Sequence, residues 1–564
     1  MTNKEIINSL KITQKLLELH NENPFKIKGY GSAIFNIENY RGPISDLSVD
    51  ELNDIGIKKG MADKIQQLNE KGTFEDLENL LKNTPEGVLK MLNIKGIGPK
   101  KIRLIWKELG IENKSDLLEA SRQNKVAALK GFGDKTQQSI IEYLEFEKAN
   151  EGNFRYADII QLVKKLEHDL TQLFKKAMVT GQVRRAMPVI DLVELIVTYD
   201  SEPDQQPLKK LNYLTQNHST SGPFTWRGTF IDSPLNVEIL FVKTPDFTNK
   251  LIETTGSELH TGTLLNTGKT LYQELQNSSF KSESDFYNQF GYYDIPPETR
   301  EGFIESAFKK DNASAPTLTN YNDIKGILHN HCTYSDGKHS LREMAEYCKE
   351  LGFEYLGITD HSVSAFYANG LDEHKVFQQH QEIDQLNEEL APFKLFKGIE
   401  SDILNDGSLD YPNEILSSFD FIVSSIHSNL NMDIEKATSR LIKAIENPYT
   451  TILGHPTGRL LTSREGYPVN HKKVIDACAD NGVIIEINAN PWRLDIDWKW
   501  IPYCIEKGVK LSINPDAHEK TGYHDMEFGV LAGRKGGLTK EMTFNTLSLR
   551  EIESHFLSRK SVNV

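Results

Sequence analysis

The feature that most constrains the fold is a pattern repeated seven times between residues 326 and 518. Each short apolar run ends near a histidine or a carboxylate, and stretches with helical periodicity lie between the runs. The runs lie at 326–328, 355–358, 395–399, 421–426, 451–454, 483–487 and 509–513. Such alternation predicts βα units that close into a parallel barrel. We therefore expect functional side chains at the carboxyl ends of the strands.

The residues at these strand ends are of the types that hold metal ions. His329 and His331 lie two positions apart and so point to one face of an extended strand. The further residues of this kind are Asp336, His361, Glu400, His427, His455, Asp516 and His518. One histidine at a strand end is more often a hydrogen-bonded structural residue, but the whole set favours a metal site.

The chemistry of this set indicates which ions it would hold. Imidazole and carboxylate without thiolate suit zinc, manganese or iron better than magnesium or calcium. Nine ligands are too many for one ion, so we expect two or three divalent ions with a bridging carboxylate. Clusters of this kind activate water and hold a phosphoryl group during its displacement.

Four segments, 398–400, 453–456, 486–491 and 516–518, resemble the polymerase-and-histidinol-phosphatase (PHP) family. The resemblance implies a distorted (βα)7 barrel with a trinuclear site, in which Asp516, His518 and Glu400 serve catalysis. It implies three ligand groups: His329, His331, Glu400 and Asp516; Glu400, His427 and His455; and Asp336, His361 and His518.

Other residues near the strand ends are candidates for supporting roles. Arg459 and Arg464 follow His455 and could bind substrate phosphate, since guanidinium matches phosphate bidentately. The alternative is that both are solvated loop arginines. Asp402 and Asn488 could orient the ligands through hydrogen bonds.

The whole chain has the character of a large intracellular enzyme. Its 564 residues are too many for one core and predict three or four domains. The four cysteines show no CxxC spacing, and no apolar run reaches membrane length. We expect a reduced cytoplasmic protein, monomeric and without a membrane segment.

The negative charge is concentrated away from the N-terminus. Residues 1–150 carry 23 Lys and Arg against 22 Asp and Glu, although the chain has a net charge of -15. Much of the acidity belongs to the metal-binding half, where cations would offset some of it. The first third is therefore where we expect contacts with phosphate.

Glycine hairpins between helical stretches supply candidates for those contacts. Gly96 and Gly98, followed by Lys100 and Lys101, let the backbone approach a phosphate at the start of a helix. A second copy places Gly131, Gly133 and Lys135 in the same order, and a poorer third copy spans 55–60. These segments resemble the helix-hairpin-helix motif, which grips a nucleic-acid backbone without reading bases.

The order of these features resembles the bacterial family-X DNA polymerases that carry a C-terminal PHP domain. The resemblance spans the chain and predicts the following organisation: an 8-kDa-type DNA-binding domain at 1–85, a fingers-like hairpin domain at 86–150, a polymerase palm and thumb at 151–311, a flexible linker at 312–323 and the PHP barrel at 324–564. Some members use a lysine of the first domain as a lyase nucleophile. Lys64 holds the comparable position, although a surface lysine is the alternative.

The middle third departs from the family pattern. The family's palm has a serine after a glycine and two aspartates that hold magnesium, whereas this chain has Gln182, Leu192 and Glu194 at those positions. Leucine is no magnesium ligand, and the longer glutamate displaces its oxygens. A third carboxylate is Glu238, and Asp191 would face the opposite side of its strand. We therefore expect a folded palm without a functional magnesium site.

These features together predict a metal-dependent DNA phosphodiesterase, a 3'-5' exonuclease that acts on gapped, nicked or 3' ends without sequence preference. The family resemblance adds 3'-phosphatase and abasic-site endonuclease as related reactions. Three alternatives remain open: a gap-filling DNA polymerase, a small-molecule phosphatase of the PHP type and a DNA-binding scaffold without catalysis.

Overall fold

The computed structural model describes residues 1–38, 40, 42–94 and 96–562. The chain divides into two compact units, Met1–Glu151 and Gly152–Val564. Among the described residues, no helix combines the length and the apolar character needed to cross a membrane.

The described residues of the first unit form short helices around one apolar core. The helices are α1 Asn3–Leu19, α2 Pro24–Glu38, α3 Val49–Asp54, α4 Lys59–Lys71, α5 Glu75–Lys82, α6 Glu86–Met91, α7 Pro99–Leu109, α8 Lys114–Arg122 and α9 Asp134–Ala149. Helix α1 packs against α2, α5 and α7, and Ile6, Leu10 and Ile105 are fully buried between helices. This core holds the loops between α3 and α4, α6 and α7, and α8 and α9 in fixed shapes.

The second unit begins with a mixed sheet. Its strands are β1 Phe154–Arg155, β2 Ala177–Thr180, β3 Val189–Ile190, β4 Leu192–Tyr199, β5 Leu214–Gln216, β6 Thr225–Phe230 and β7 Ser233–Lys243. The helices of this region are α10 Tyr156–Leu173, α11 Gly181–Arg184, α12 Phe247–Thr255, α13 Glu258–Thr261, α14 Leu271–Asn277 and α15 Glu283–Gln289. The main sheet has the order β2-β4-β7-β6-β5, with β4 and β7 parallel at its centre.

The rest of the second unit is the predicted parallel barrel. Its strands are β8 Gly326–Ile327, β9 Tyr355–Ile358, β10 Lys394–Asp402, β11 Phe421–Ser425, β12 Ile452–Leu453, β13 Ile484–Asn488 and β14 Leu511–Asn514. Its helices are α16 Leu341–Glu350, α17 Glu373–Leu390, α18 Asn413–Leu416, α19 Ile434–Ile445, α20 His471–Asn481, α21 Ile501–Glu506, α22 Met526–Lys535 and α23 Leu549–Val562. The seven strands pair in sequence order, and a bridge between Asn330 and Ala517 nearly closes the sheet.

Side chains inside the barrel separate an apolar end from a polar end. Phe421, Tyr355 and Ile484 fill the interior together with Phe556 from α23. Phe556 stacks on Phe421 with ring centroids 5.1 Å apart. Because this end is filled, the carboxyl ends of the strands are the place where polar groups can converge.

The segment between the palm region and the barrel differs from the expected flexible linker. Leu318 pairs with Thr539 in a bridge, and Thr319 is fully buried, with its hydroxyl 2.6 Å from that of Thr543. Composition favoured flexibility, but these tertiary contacts override it. The segment therefore does not let the barrel swing freely.

A buried ion pair also joins the palm region to the barrel. Lys535 of α22 has a fully buried side chain, and its Nζ donates to Glu301 at 2.5 Å and to the carbonyl of Arg185 at 3.0 Å. Arg185 itself binds Glu301 at 2.8 Å. A buried charge is stable only with such partners, so the two regions fix each other's position.

Candidate metal centre and nucleic-acid interface

The barrel brings all nine predicted metal-ligand residues to one end. His329 and His331 follow β8, Glu400 lies near the end of β10, and His427 and His455 each lie two residues beyond their strands. Parallel strands place their carboxyl ends together, so residues far apart in sequence meet here. Asp516, just after β14, adopts a left-handed backbone with φ +53°.

Glu400 is the centre of the cluster. It is almost fully buried, and its oxygens lie within 3.7 Å of nitrogens of five imidazoles. Those imidazoles belong to His329, His331, His361, His427 and His455. This is the position expected of a bridging carboxylate.

The side chains form three overlapping groups, each compact enough for one ion. The groups are His331, Asp336, His361 and His518; His329, His331 and Asp516; and His361, Glu400 and His427. They differ from the groups implied by the family in that His331 and His361 each belong to two groups, Glu400 belongs to one, and His455 belongs to none. His455 lies at the edge, with Nε2 3.0 Å from Glu400 Oε1.

The opening of the site is on the side of Asp336 and His518. Their side chains are 36% and 37% exposed, whereas those of His329 and His331 are fully buried. The two residues lie 3.4 Å apart, Nε2 to Oδ1. A substrate would therefore approach the cluster past this pair.

Hydrogen bonds behind the cluster orient its members. His329 Nδ1 lies 2.6 Å from Glu486 Oε2, which also accepts from Asn514. His427 Nδ1 bonds to Asp402, as its position predicted. Such carboxylate–imidazole pairs fix the ring and its tautomer. Glu486 was missed at the sequence level, although a lone charged residue in an apolar strand is a signal for an internal partner.

The electrostatics of the cluster favour ionised carboxylates. Although burial opposes it, the imidazoles of His427, His329 and His361 hold the pKa of Glu400 well below its usual range. Burial and the neighbouring imidazoles of His518 and His361 lower the pKa of His331 to about 3. Against burial, Asp336 and Asp516 raise the pKa of His518 to about 9. Cation binding at His518 would therefore release a proton.

The arrangement fits divalent ions. In the described part of the chain, His329 Nε2, His361 Nδ1 and Glu400 Oε2 are buried atoms that make no hydrogen bond. Buried polar atoms without partners are uncommon, and lone pairs directed at one another are stabilised by a shared cation. The available metal ligands are nitrogen and oxygen atoms. The thiol of Cys332 is not among them, because it donates a hydrogen bond to Asp360.

The arginines near the site have different partners. Arg459 donates through Nε to the carbonyl of Arg493 at 2.9 Å and through its other nitrogens to Asp497 and the Leu494 carbonyl. Arg464 donates to the Gly458 carbonyl at 2.6 Å. Substrate binding by Arg459, as predicted, would require these bonds to break. Arg493, which the sequence analysis missed, lies closer, with Nε 3.5 Å from Asp516 Oδ2.

The three glycine hairpins share one backbone feature. Gly56, Gly96 and Gly131 have φ values of +84°, +86° and +87°. Only the first glycine of each hairpin needs the left-handed region. The position two residues later has negative φ in all three copies, where it is Gly98, Gly133 or Lys58. The third copy is thus closer to the others than its sequence indicated.

The predicted contact residues of the hairpins lie at the surface. Gly96, Gly98 and Lys100 are exposed before and in the first turn of α7, and Lys101 is half-buried. Gly131, Gly133 and Lys135 are exposed around the start of α9. A Cβ on Gly98 or Gly133 would meet no atom within 4 Å. The open space and free helix start suit a phosphate. Lys95 lies outside the described residues.

Lys64 belongs to a network rather than to an open surface. Its Nζ lies 2.6 Å from Asp76 Oδ2 and 3.0 Å from the Tyr30 hydroxyl. Lys26 completes the group at 3.2 Å from Asp76. The network is compatible with either role considered for this lysine.

In the palm region, the positions where the family has two aspartates carry Leu192 and Glu194, and both lie on β4. Glu194 pairs in register with Glu238 across β4 and β7, and a Cβ on Gly181 would lie 1.7 Å from Glu194 Oε2. Burial and then Glu238 raise the pKa of Glu194 to about 7. Arg184 and Arg185 form ion pairs with Glu283 and Glu301.

Comparison with known proteins accounts for this combination of parts. A helix-hairpin-helix domain matches residues 1–74, a SAM-like helix-hairpin-helix tandem matches 88–145, and a PHP domain matches 328–490. Fold and site thus define a DNA-binding protein with a PHP-type phosphoesterase barrel.

Relatives name the family more closely. The chain is 34% identical over 581 residues to the DNA polymerase/3'-5' exonuclease PolX of Bacillus subtilis, covering 99% of this chain and 100% of that protein. Probable phosphatases of Thermoanaerobacter sp. and Caldanaerobacter subterraneus are 27% and 31% identical, over 40% and 23% of this chain and 91% and 53% of their own. The chain belongs to the PolX family, the family-X DNA polymerases with a PHP domain, which confirms the sequence-based assignment.

Proposed function

We propose that this protein is a metal-dependent DNA phosphodiesterase, a 3'-5' exonuclease that trims ends during repair, and that its polymerase activity is lost or strongly impaired. The observation that carries the proposal is the convergence of nine ligand-type side chains around Glu400. The Bacillus relative, which aligns along the whole chain, is named for both activities. The hairpins supply the DNA contact that a small-molecule enzyme would not need.

The chain's own residues would prepare the reaction. The nine ligand-type residues would hold two or three ions of zinc, manganese or iron, which would supply Lewis-acid activation of a phosphoryl oxygen and of water. Ionised Glu400 and Asp516 would hold the site together, with Glu486 fixing His329 through its Nδ1. Arg493 adds positive charge at the rim, where a phosphate oxygen could be bound.

The palm region supports the second half of the proposal. A site for two magnesium ions needs ionised oxygens at fixed positions, but Leu192 offers none and Glu194 is partly protonated near neutral pH. The arginines that could face a triphosphate are engaged with Glu283 and Glu301. The palm would then serve to support DNA and the barrel rather than to add nucleotides.

A second candidate is phosphatase activity, favoured by the similarity of the barrel to probable phosphatases. It would use the same centre on a monoester, either a small molecule or a DNA 3'-phosphate. The helix-hairpin-helix domains favour DNA as the substrate.

One gel distinguishes these functions. A 5'-labelled primer on a gapped template is incubated with manganese, with and without the four deoxynucleotides. We expect shortening in both conditions. Extension with nucleotides would mean that Glu194 and Glu238 still support polymerisation. An unchanged primer would contradict the exonuclease and direct attention to phosphatase substrates, beginning with a 3'-phosphorylated primer.

A further inference from the structure

We propose that Phe366 and Tyr367 form a stacking subsite for the base of the nucleotide whose phosphate lies at the metal centre. The two residues lie in a short 3-10 helix, Phe366–Ala368, within the loop that follows β9 and His361. This inference rests on the proposed function, because it names how that site would hold the end of a DNA strand.

The two rings are exposed to an unusual degree for aromatic side chains. Phe366 is 85% exposed and Tyr367 is 70% exposed, whereas Ala365 and Ala368 on either side of them are buried. Exposing two large aromatic rings is unfavourable unless a partner covers them. The buried alanines show that the exposure is confined to the rings and is not that of a loose loop tip.

The loop is held firmly from both ends. Leu371 N donates to the His361 carbonyl at 2.8 Å, and Ser364 donates through its hydroxyl to Asp402 at 2.8 Å and through its amide to Asp410 at 2.7 Å. A Cβ on Gly370 would lie 1.9 Å from the Ser362 carbonyl oxygen, so the chain is closely packed there. A platform held in this way loses little entropy when a ring stacks on it.

The Phe366–Tyr367 segment lies beside the cluster of ligand-type residues around Glu400. The ring centroids of Tyr367 and His361 are 6.2 Å apart, and His361 Nδ1 lies 3.0 Å from Glu400. The ring of Tyr367 is thus a direct neighbour of a residue that contacts the central carboxylate.

A nucleobase is the occupant that this setting favours. The cations of the centre would attract phosphate, and the aromatic rings offer flat apolar surface next to it. Every base has a π-face, so stacking holds a strand end without reading its sequence. That property matches hairpins which contact the backbone alone.

The test compares two single-stranded oligonucleotides that differ at one position. One ends in an ordinary 3' nucleotide, and the other ends in a tetrahydrofuran residue, which has the same phosphodiester but no base. The variants are Phe366→Ala, Tyr367→Ala and the double variant, with Tyr367→Phe to keep the ring. Phe377→Ala, which removes a 48% exposed ring from α17, is the matched control. Metal content is measured for each protein.

We expect the double variant to lower kcat/KM about 10-fold on the ordinary end, the size of a lost base stack. Its activity on the abasic end and its metal content should stay unchanged. Tyr367→Phe and Phe377→Ala should behave as wild type on both substrates. An equal loss on both ends would overturn the proposal, since the rings would then only support the loop. No loss on either end would also overturn it and leave the surface to a protein partner.

A binding measurement keeps the inference separate from the proposed activity. An oligonucleotide with 2-aminopurine at its 3' end loses fluorescence when that base stacks. We expect wild-type protein to quench it and the double variant to quench it much less. If wild-type protein hydrolyses neither substrate but quenches in this way, the exonuclease proposal fails and the subsite stands. Equal quenching by both proteins would refute the subsite.

Discussion

The barrel and the palm both place acidic side chains on neighbouring parallel strands, but the surroundings of those side chains differ. In the barrel, Glu400 lies among five imidazoles that hold its pKa well below the usual range. In the palm, Glu194 faces Glu238, and burial with that second carboxylate raises its pKa to about 7. A cation that replaces the protons of those imidazoles would meet an ionised carboxylate among nitrogen ligands, whereas a half-protonated carboxylate beside Leu192 is a poor ligand.

The difference shows that placing a carboxylate on a parallel strand does not by itself make it a cation ligand, since the charges around it decide its ionisation. The palm sheet has the order β2-β4-β7-β6-β5 and pairs β4 with β7, while Leu192 and Glu194 stand where the family resemblance predicts aspartates. Family membership therefore describes the architecture of both regions but not the activity of each.

The largest effect should come from the centre of the barrel. Glu400→Gln removes the charge that five imidazoles share, so we expect metal content to fall and exonuclease activity to drop at least about 100-fold. Metal analysis and the primer assay measure the two effects. Glu414→Gln, at an exposed position of α18, should behave as wild type. Full activity in the Glu400 variant would remove the barrel from the mechanism.

In the palm, replacing a carboxylate by an amide should improve the protein's stability rather than impair a site. The pKa of Glu194 is about 7 in the folded state against 4.5 normally, so the folded state binds more protons between these values. Stability is therefore lost as pH rises from 4.5 to 7. Glu194→Gln avoids this loss and should stabilise the protein by up to about 3 kcal/mol at pH 8 but not at pH 4.5.

Thermal unfolding at several pH values measures this difference. Glu202→Gln, in an exposed loop of the same region, is the control and should leave the unfolding temperature unchanged. A benefit of Glu194→Gln that is equal at acid and alkaline pH would show that the carboxyl is not the titrating group. A decrease in stability at pH 8 would point to a cation held by Glu194, as in a working palm.

A residue behind the barrel centre should have an intermediate effect. Glu486→Gln keeps the shape but weakens the hold on His329 Nδ1, so we expect metal affinity to fall about 10- to 100-fold. Titration of the metal-free protein measures the affinity directly, and excess manganese should restore part of the activity. Affinity equal to that of wild type would limit Glu486 to a role in folding.

The smallest effect should come from the hairpins. They should affect the binding of DNA substrates but not the chemistry of the metal centre. Gly98→Ala with Gly133→Ala adds two methyl groups in open space, so folding should be unaffected and DNA binding should weaken about 10-fold. Hydrolysis of the small diester bis-p-nitrophenyl phosphate should stay unchanged. Gly29→Ala, an exposed helical glycine in α2, is the control. Unchanged DNA binding would exclude these hairpins as the contact.

The parts that sequence predicted well are those in which a local pattern and a tertiary role coincide. The apolar run at Tyr355–Ile358 is a strand with the predicted bounds, because a buried parallel strand reads as continuous apolar sequence. The strand-end histidines meet for the same topological reason. These histidines are irregularly spaced in the sequence, but the barrel brings the ends of all its strands together whatever that spacing is.

The parts that sequence missed depend on contacts between distant residues. Composition made 312–323 a flexible linker, but Leu318 and Thr319 are buried, and their backbone bonds to the barrel at Leu538 and Thr539. The segment resembling the family ends at Pro491, two residues before Arg493. The third hairpin was judged by its second glycine, whereas the backbone needs only Gly56 at positive φ. Each of these outcomes is decided by partners that no local window contains.

The buried Lys535 limits how the protein can be dissected. A fragment beginning at residue 324 would lose Glu301 and the Arg185 carbonyl, and it would leave an unpaired ammonium at the surface where the palm had been. We therefore expect such a fragment to be less stable than the whole chain. The palm region thus also serves as a structural support for the barrel, whatever its own chemistry.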